Sequence, residues 1–195
     1  MSYSFFAFIS RMKNITRWSL MRNSAAENVQ EHSHMVSVIA HALAVIRRDV
    51  FDGSIDPGHV TACALFHDAS EIFTGDMPTP IKYFNSELMS AYKDVEDAAL
   101  RKLILALPAQ MRPAYETLLL SANGDVLVIV KAADTLSAYI KCLEELSTGN
   151  LEFRLAAEQS LQKLRALNMP EVDYFIEHFI PAFEMTLDEL DFSFE

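Results

Sequence analysis

From Val126 to Leu146 the chain carries apolar residues almost without pause. The run opens Val126-Leu127-Val128-Ile129-Val130 and continues through Ala132, Ala133, Leu136, Ala138, Tyr139, Leu143 and Leu146. The opening five residues alone would pass for a buried strand. The whole pattern is too long for one strand and keeps a helical period, so a buried helix is predicted, with Gly149 as its stop. The rest of the chain agrees. Only 5 of 195 residues are glycine while 51% are apolar, which favours long helices over a turn-rich β fold. The fold class expected is all-α, a single helical bundle over residues 1–195, with no repeat, low-complexity segment or linker to divide it.

Further helices follow from spacing and caps. Phe5, Phe6, Phe8, Ile9 and Met12 recur at helical spacing in a helix expected to end near Lys13-Asn14, and Ile15-Thr16-Arg17-Trp18 then forms a connection. A long helix is expected from about Glu27 to Arg48, with Val29, Val36, Ile39, Ala40, Leu43 and Ile46 on its apolar face. Asp56-Pro57 reads as an N-cap followed by a first-turn proline, opening a helix that delivers His67, Asp68 and Glu71 from one end. Thr74-Gly75-Asp76-Met77-Pro78-Thr79-Pro80 forces a loop, which should lie over that same end. Asn85-Ser86 caps a helix running to about Leu107, Pro113 opens a short one through Leu120, and two more span about Leu151 to Leu167 and Val172 to Phe183. The acidic tail from Asp188 is expected to fray.

Charge and cysteine usage exclude several functions. With 27 acidic against 16 basic residues the net charge is −11, which disfavours binding to a nucleic-acid polymer or an anionic membrane. A pocket-sized anion is still admissible where local cations gather. Cys63 and Cys142 sit in apolar helical surroundings without C-x-x-C spacing, so both read as buried reduced thiols. The N-terminus lacks a basic lead-in before its apolar residues, and no apolar run reaches membrane-spanning length, so a cytoplasmic location is expected.

The chemistry concentrates on His32, His67, Asp68 and Asp134. A carboxylate inside Val130-Lys131-Ala132-Ala133-Asp134-Thr135-Leu136 is costly to bury unless it is paired or binds a metal. Each residue alone reads as an ordinary satisfied side chain, and Asp134 could simply pair with Lys131. His34, His41, His59 and His178 are left in that ordinary class. Two imidazoles and two carboxylates drawn from three helices, however, make a mixed nitrogen and oxygen site suited to a divalent first-row metal.

The order Glu31-His32-Ser33, His67-Asp68-Ala69-Ser70-Glu71, Ala133-Asp134 resembles the metal signature of the HD-domain phosphohydrolases. A finer resemblance, to the bacterial YfbR-type 5'-deoxynucleotidases, rests on Asn14 to Trp18, Leu20 to Asn23, Glu27-Asn28-Val29, Thr74-Gly75-Asp76, Pro78 to Asn85 and Tyr139 to Leu146. It covers essentially the whole chain. It implies an HD-type bundle that hydrolyses deoxyribonucleoside 5'-monophosphates to deoxyribonucleoside and phosphate. It implies further that His32, His67, Asp68 and Asp134 bind one metal, with Co2+ or Mn2+ favoured, and that Glu71 is catalytic. By the same likeness Arg17 orients the phosphate, Trp18 and the stretch Asp76, Met77, Pro78 and Thr79 line the nucleotide site together with His32 and Asp134, and the protein is a homodimer. The physical roles fit: Arg17 offers a bidentate fork, with Arg22 and Lys82 as weaker helpers, and a rigid Trp18 could block a 2'-hydroxyl. Asp76 could accept from the 3'-hydroxyl. Two other readings stay open at this stage: an HD phosphohydrolase acting on other nucleotides, and a non-catalytic helical module whose cluster is structural.

Overall fold

The computed structural model describes residues 2–82, 84–120 and 124–190, apart from the side chains of Thr79 and Pro80. Among the described residues there is no strand, only an isolated antiparallel bridge between Thr16 and Asn28. The α-helices are α1 (Phe5–Ile9), α2 (Val29–Asp49), α3 (Pro57–Leu65), α4 (Glu71–Thr74), α5 (Thr79–Lys82), α6 (Ser86–Leu105), α7 (Arg112–Leu119), α8 (Gly124–Ser147), α9 (Arg154–Ala166) and α10 (Pro170–His178).

The central packing unit is α2 against α3 and α8, with α9 laid along α8. Its core joins Val36, Ile39, Ala40 and Leu43 of α2 to Val60 and Ala64 of α3 and to Ile129, Ala132, Ala133, Leu136 and Ile140 of α8. A second apolar cluster joins Phe5 of α1 to Leu103 and Ile104 of α6, Leu107 and Leu119. Phe5 is fully buried, with its ring 4.8 Å from that of Tyr115.

Local chemistry sets the boundaries. α2 starts at Val29, two residues later than the apolar pattern indicated, because Asn28 and Glu31 form a reciprocal capping box. The Asn28 side chain accepts from the Gln30 and Glu31 amides, each at 3.0 Å. Asp56 caps α3 ahead of Pro57, as its sequence predicts, and Asn85 caps α6 by accepting from the Leu88 amide at 2.7 Å. α8 is helical over its whole predicted length, and Gly149 beyond it takes the left-handed φ of 86°. The first helix is shorter than expected: it ends at Ile9, and Met12 is buried from a 3-10 turn instead.

Two expectations are corrected. His67, Asp68 and Glu71 do not share one helix. α3 ends at Leu65, and the chain then tightens into three-residue turns, with the Ala69 amide on Phe66 O at 3.0 Å and the Glu71 amide on Asp68 O at 3.0 Å. Glu71 begins α4, a separate single turn. The segment from Thr74 to Pro80 is also not a continuous loop. Only Gly75 to Pro78 is irregular before α5 begins at Thr79. The expectation for the tail beyond Leu190 lies outside the described residues. Both cysteines are buried and free, as expected. No helix among the described residues is long and apolar enough to cross a membrane.

Candidate active site

Three elements bring the predicted residues together. His32 is one turn into α2 behind the Asn28 cap, His67 and Asp68 occupy the tight turns after α3, and Asp134 lies near the middle of α8. His32 is fully buried. Its Nε2 lies 3.0 Å from Asp134 Oδ1 and 3.6 Å from Asp68 Oδ2, while His67 Nε2 lies 3.0 Å from Asp68 Oδ2. Potential ligand atoms of His32, His67 and Asp68 all fall within 4.8 Å of one another. Asp134 faces His32 rather than the Lys131 partner that its sequence neighbours had left open.

The outer ring nitrogens fix how these imidazoles point. His67 Nδ1 is 2.8 Å from the Ala64 carbonyl, which can only accept, so Nδ1 carries the proton and Nε2 keeps its lone pair when the ring is neutral. His32 Nδ1 is 3.2 Å from Ser137 Oγ, a contact between α2 and α8 that aims Nε2 at the two carboxylates. Despite these short approaches, His32 Nε2 and His67 Nε2 are buried without a properly aligned hydrogen bond, as is Glu71 Oε2. Buried polar atoms left in this state are rare and point to a missing ligand. Two buried imidazole nitrogens converging on two carboxylates are a donor set that fits a divalent cation.

The electrostatics favour positive charge here. Burial pushes the His67 imidazole down, but the adjacent charge of Asp68, with that of Asp134, prevails and raises it to about 9. Burial works against the Asp68 carboxylate too, yet His67, His32 and Arg17 hold it well below the usual carboxylate range. Glu71 behaves oppositely. Burial first, then the charges of Asp68 and Asp76, push its carboxyl up to about 9 against Arg17 and His67. Asp76 is raised as well, by burial, while Arg17 and a hydrogen bond from the Trp18 amide oppose the rise.

Beside the cluster lies a cavity of about 410 Å3, within the range of roughly 300–1,000 Å3 common for small-molecule sites. Arg17, Trp18, Asp76, Met77 and Pro78 line it, together with Asp134, which also belongs to the cluster. Thr135 and Ala138 of α8, and Ser160 and Lys163 of α9, line it as well. The side chain of Thr79 lies outside the described residues. Arg22 and Lys82 point elsewhere: the Arg22 side chain is 93% exposed and pairs with Glu152, and Lys82 pairs with Glu96 at 3.0 Å. The cation at the cavity rim is instead Lys163, which no motif marked.

The Arg17-Trp18 wall is held from several directions. Trp18 has a φ of 57°, a left-handed conformation that costs a non-glycine residue about 1–2 kcal/mol. Its amide donates to Asp76, its carbonyl accepts from Asn23 Nδ2 at 3.2 Å, and its ring lies 5.3 Å from that of Phe153. Glu27 receives both Arg17 NH1, at 2.7 Å, and the indole Nε1, at 3.1 Å, on the same oxygen, Oε2. Glu27 had no assigned role in the sequence. Its signals were its place directly before the cap of a long helix and its membership of the Glu27-Asn28-Val29 stretch that carries the family resemblance, neither of which names a role.

An all-α bundle with His, His-Asp and Asp converging at its centre defines an HD-domain phosphohydrolase. A solved HD-domain phosphohydrolase from Listeria innocua matches with a TM-score of 0.80 and 26% identity, over 92% of this chain and 88% of the other. The chain belongs to the 5'-deoxynucleotidase YfbR-like family, whose model matches residues 4–183. A 5'-deoxynucleotidase of Vibrio atlanticus is 46% identical over 188 residues, covering 95% of this chain and 97% of the relative. The fold is also shared with the HD phosphohydrolase DatZ of cyanophage S-2L, solved bound to dA and one catalytic Zn2+ ion, at a TM-score of 0.66 and 19% identity over 93% of this chain and 99% of the other.

Proposed function

We propose that this protein hydrolyses deoxyribonucleoside 5'-monophosphates to deoxyribonucleoside and phosphate, with a single divalent metal held by His32, His67, Asp68 and Asp134. The observation that carries the reading is the shared residue Asp134. It belongs to the cluster with the orphaned imidazole nitrogens and also lines the cavity together with Arg17 and Trp18. Family membership and the names of the relatives supply the reaction. Co2+ or Mn2+ is the metal favoured by the family resemblance. Assembly as a homodimer belongs to the same reading and rests on the same resemblance, and a cytoplasmic location belongs to it on the sequence pattern given above.

A phosphate monoester resists hydrolysis in water so strongly that catalysis must come chiefly from electrostatics and positioning. A divalent cation in the cluster supplies Lewis acidity, neutralising phosphoryl charge and acidifying water. The chain's own groups do the rest. Arg17 directs guanidinium N–H groups at the phosphate, since Glu27 occupies only NH1. Glu71 stands beside the cluster with Oε2 uncommitted, an atom at which a proton can be held for the attacking water or the leaving 5'-oxygen. Asp76, fixed by the Trp18 amide, keeps acceptor capacity for the 3'-hydroxyl. The Trp18 indole gives the cavity a rigid wall against a 2'-hydroxyl, which a merely polar pocket rejects poorly.

The test is hydrolysis of a panel of deoxy and ribo 5'-monophosphates with and without Co2+ or Mn2+. Rapid turnover of dAMP and much slower turnover of AMP are expected. Equal rates on the two would remove the selectivity claim, and full activity in excess chelator would remove the metal claim.

A further inference from the structure

We infer that Glu27 is a positioning residue that locks Arg17 and Trp18 into one unit, so that phosphate recognition and rejection of the 2'-hydroxyl depend on a single carboxylate. This rests on the site reading above and assigns a residue that the reading does not use.

The geometry is specific. One oxygen, Glu27 Oε2, receives Arg17 NH1 at 2.7 Å and Trp18 Nε1 at 3.1 Å. The ion pair is sheltered, with side-chain exposures of 13% for Arg17 and 15% for Glu27. A carboxylate at this depth is screened less than a surface one and holds a defined geometry. Glu27 is itself anchored by backbone. The Arg17 amide donates to the Glu27 carbonyl at 3.0 Å, and the Val29 amide donates to the Ile15 carbonyl at 3.0 Å. The next residue, Asn28, caps α2, and His32 follows one turn later. The carboxylate is therefore tied to the helix that carries part of the metal cluster.

The charges around Arg17 explain why such an anchor is needed. Besides Glu27, the guanidinium feels Asp134, Asp68 and Asp76, all members of the cluster or the cavity wall. Without Glu27 those carboxylates become its only nearby partners, and Arg17 is drawn onto them and away from a bound phosphate. Trp18 loses the same anchor. Its strained backbone stays tied to Asp76, but its indole N–H has no acceptor, and packing against Phe153 is left to hold the ring.

Two substitutions separate the halves of the role. In Glu27→Gln the amide oxygen still accepts from the indole, but the charge that holds Arg17 is gone. Glu27→Ala removes both. Steady-state kinetics on dAMP and AMP would be read beside the emission of Trp18, the only tryptophan in the chain. For Glu27→Gln we expect KM for dAMP to rise roughly fivefold to tenfold with the dAMP/AMP ratio of kcat/KM kept. For Glu27→Ala we expect the same rise in KM, a fall of about tenfold or more in the ratio, and a shift in Trp18 emission. A folded Glu27→Ala with KM, ratio and emission all at wild-type values would overturn the inference. Should Glu27→Ala fail to fold, Glu27→Gln decides alone, and an unchanged KM sinks the coupling. The failure of the underlying reading looks different: wild-type enzyme that hydrolyses AMP as fast as dAMP refutes the selectivity claim, while KM and emission in the variants still decide whether Glu27 holds Arg17 and Trp18.

Discussion

Helix α8 brings a carboxylate into a polar cluster at two points along its length, and the two clusters are treated oppositely. Near its C-terminal end, Glu145 is 1% exposed and fully satisfied. It accepts from the Ser24 amide at 2.8 Å, the Ala25 amide at 3.2 Å, Asn150 Nδ2 at 2.8 Å and Lys141 Nζ. Lys141 in turn donates to the Ala25 carbonyl at 2.7 Å. Near its middle, Asp134 enters a cluster where two imidazole nitrogens and a Glu71 oxygen are buried without hydrogen bonds. A buried charge with every lone pair answered is a structural rivet. A buried set with open lone pairs carries an energetic cost that folding alone does not explain, which is the mark of a site waiting for a ligand.

The sharpest way to break this comparison is Glu71→Gln, which keeps the shape and removes the ionisable group. If the open region is catalytic, kcat falls by about a thousandfold, within the range of roughly 10²–10⁴ for a lost general acid or base, while thermal melting and metal content hold. Unfolding of this variant, with metal lost, would instead make the open cluster structural and erase the contrast.

The converse test falls on the rivet. Glu145→Ala leaves Lys141 buried without its charge partner and frees the Ser24 and Ala25 amides. Breaking a buried pair costs about 3–5 kcal/mol, which lowers Tm by roughly 10 °C in a chain of this size. In protein still folded, kcat on dAMP should stay within about twofold, because no group near the cluster has changed. A large fall in kcat with Tm unaltered would reverse the assignment of the two regions.

Acid sensitivity distinguishes them further. Although burial pushes the Glu145 carboxyl up, its bonds from Lys141, Ser24 and Asn150 hold it well below its ordinary value of 4.5. The folded-state value is depressed, so this group adds stability above about pH 4.5 and loses it as pH falls further. Urea titrations between pH 6 and pH 3 should show wild type losing stability more steeply than Glu145→Gln. Parallel curves would mean that the carboxylate is not held as its four donors indicate.

Much of the fold was legible because it follows from period and caps. The apolar spacing of α2 and α8, the Asp56-Pro57 start and the Asn85 cap all act within a few residues of chain. The single predicted helix through Glu71 was wrong for a reason that local pattern does not contain. His67 and Asp68 must turn toward α2 and α8, and the chain meets that demand with tight turns after Leu65. At the site, the four clustered polar residues were readable from type and order, since buried His and Asp in apolar helices are conspicuous. Ser160, Lys163 and the role of Glu27 were not. Their importance arises from partners or cavity walls far away in sequence, and a glutamate before a helix cap or a lysine on α9 is ordinary by itself.

Lys163 sets the lower end of the scale. It lines the cavity from α9, and its residue is exposed. Arg17, by contrast, is held at depth by an ion pair. A flexible ammonium at a wet rim gives steering and a weak, screened attraction, whereas a sheltered guanidinium gives geometry. Lys163→Ala should therefore raise KM for dAMP by only about twofold to threefold at low salt, leave kcat and the dAMP/AMP ratio unchanged, and become indistinguishable from wild type near 0.5 M NaCl. A loss in kcat that survives high salt would place Lys163 against the reacting phosphate and move the polar half of the cavity from Arg17 to α9.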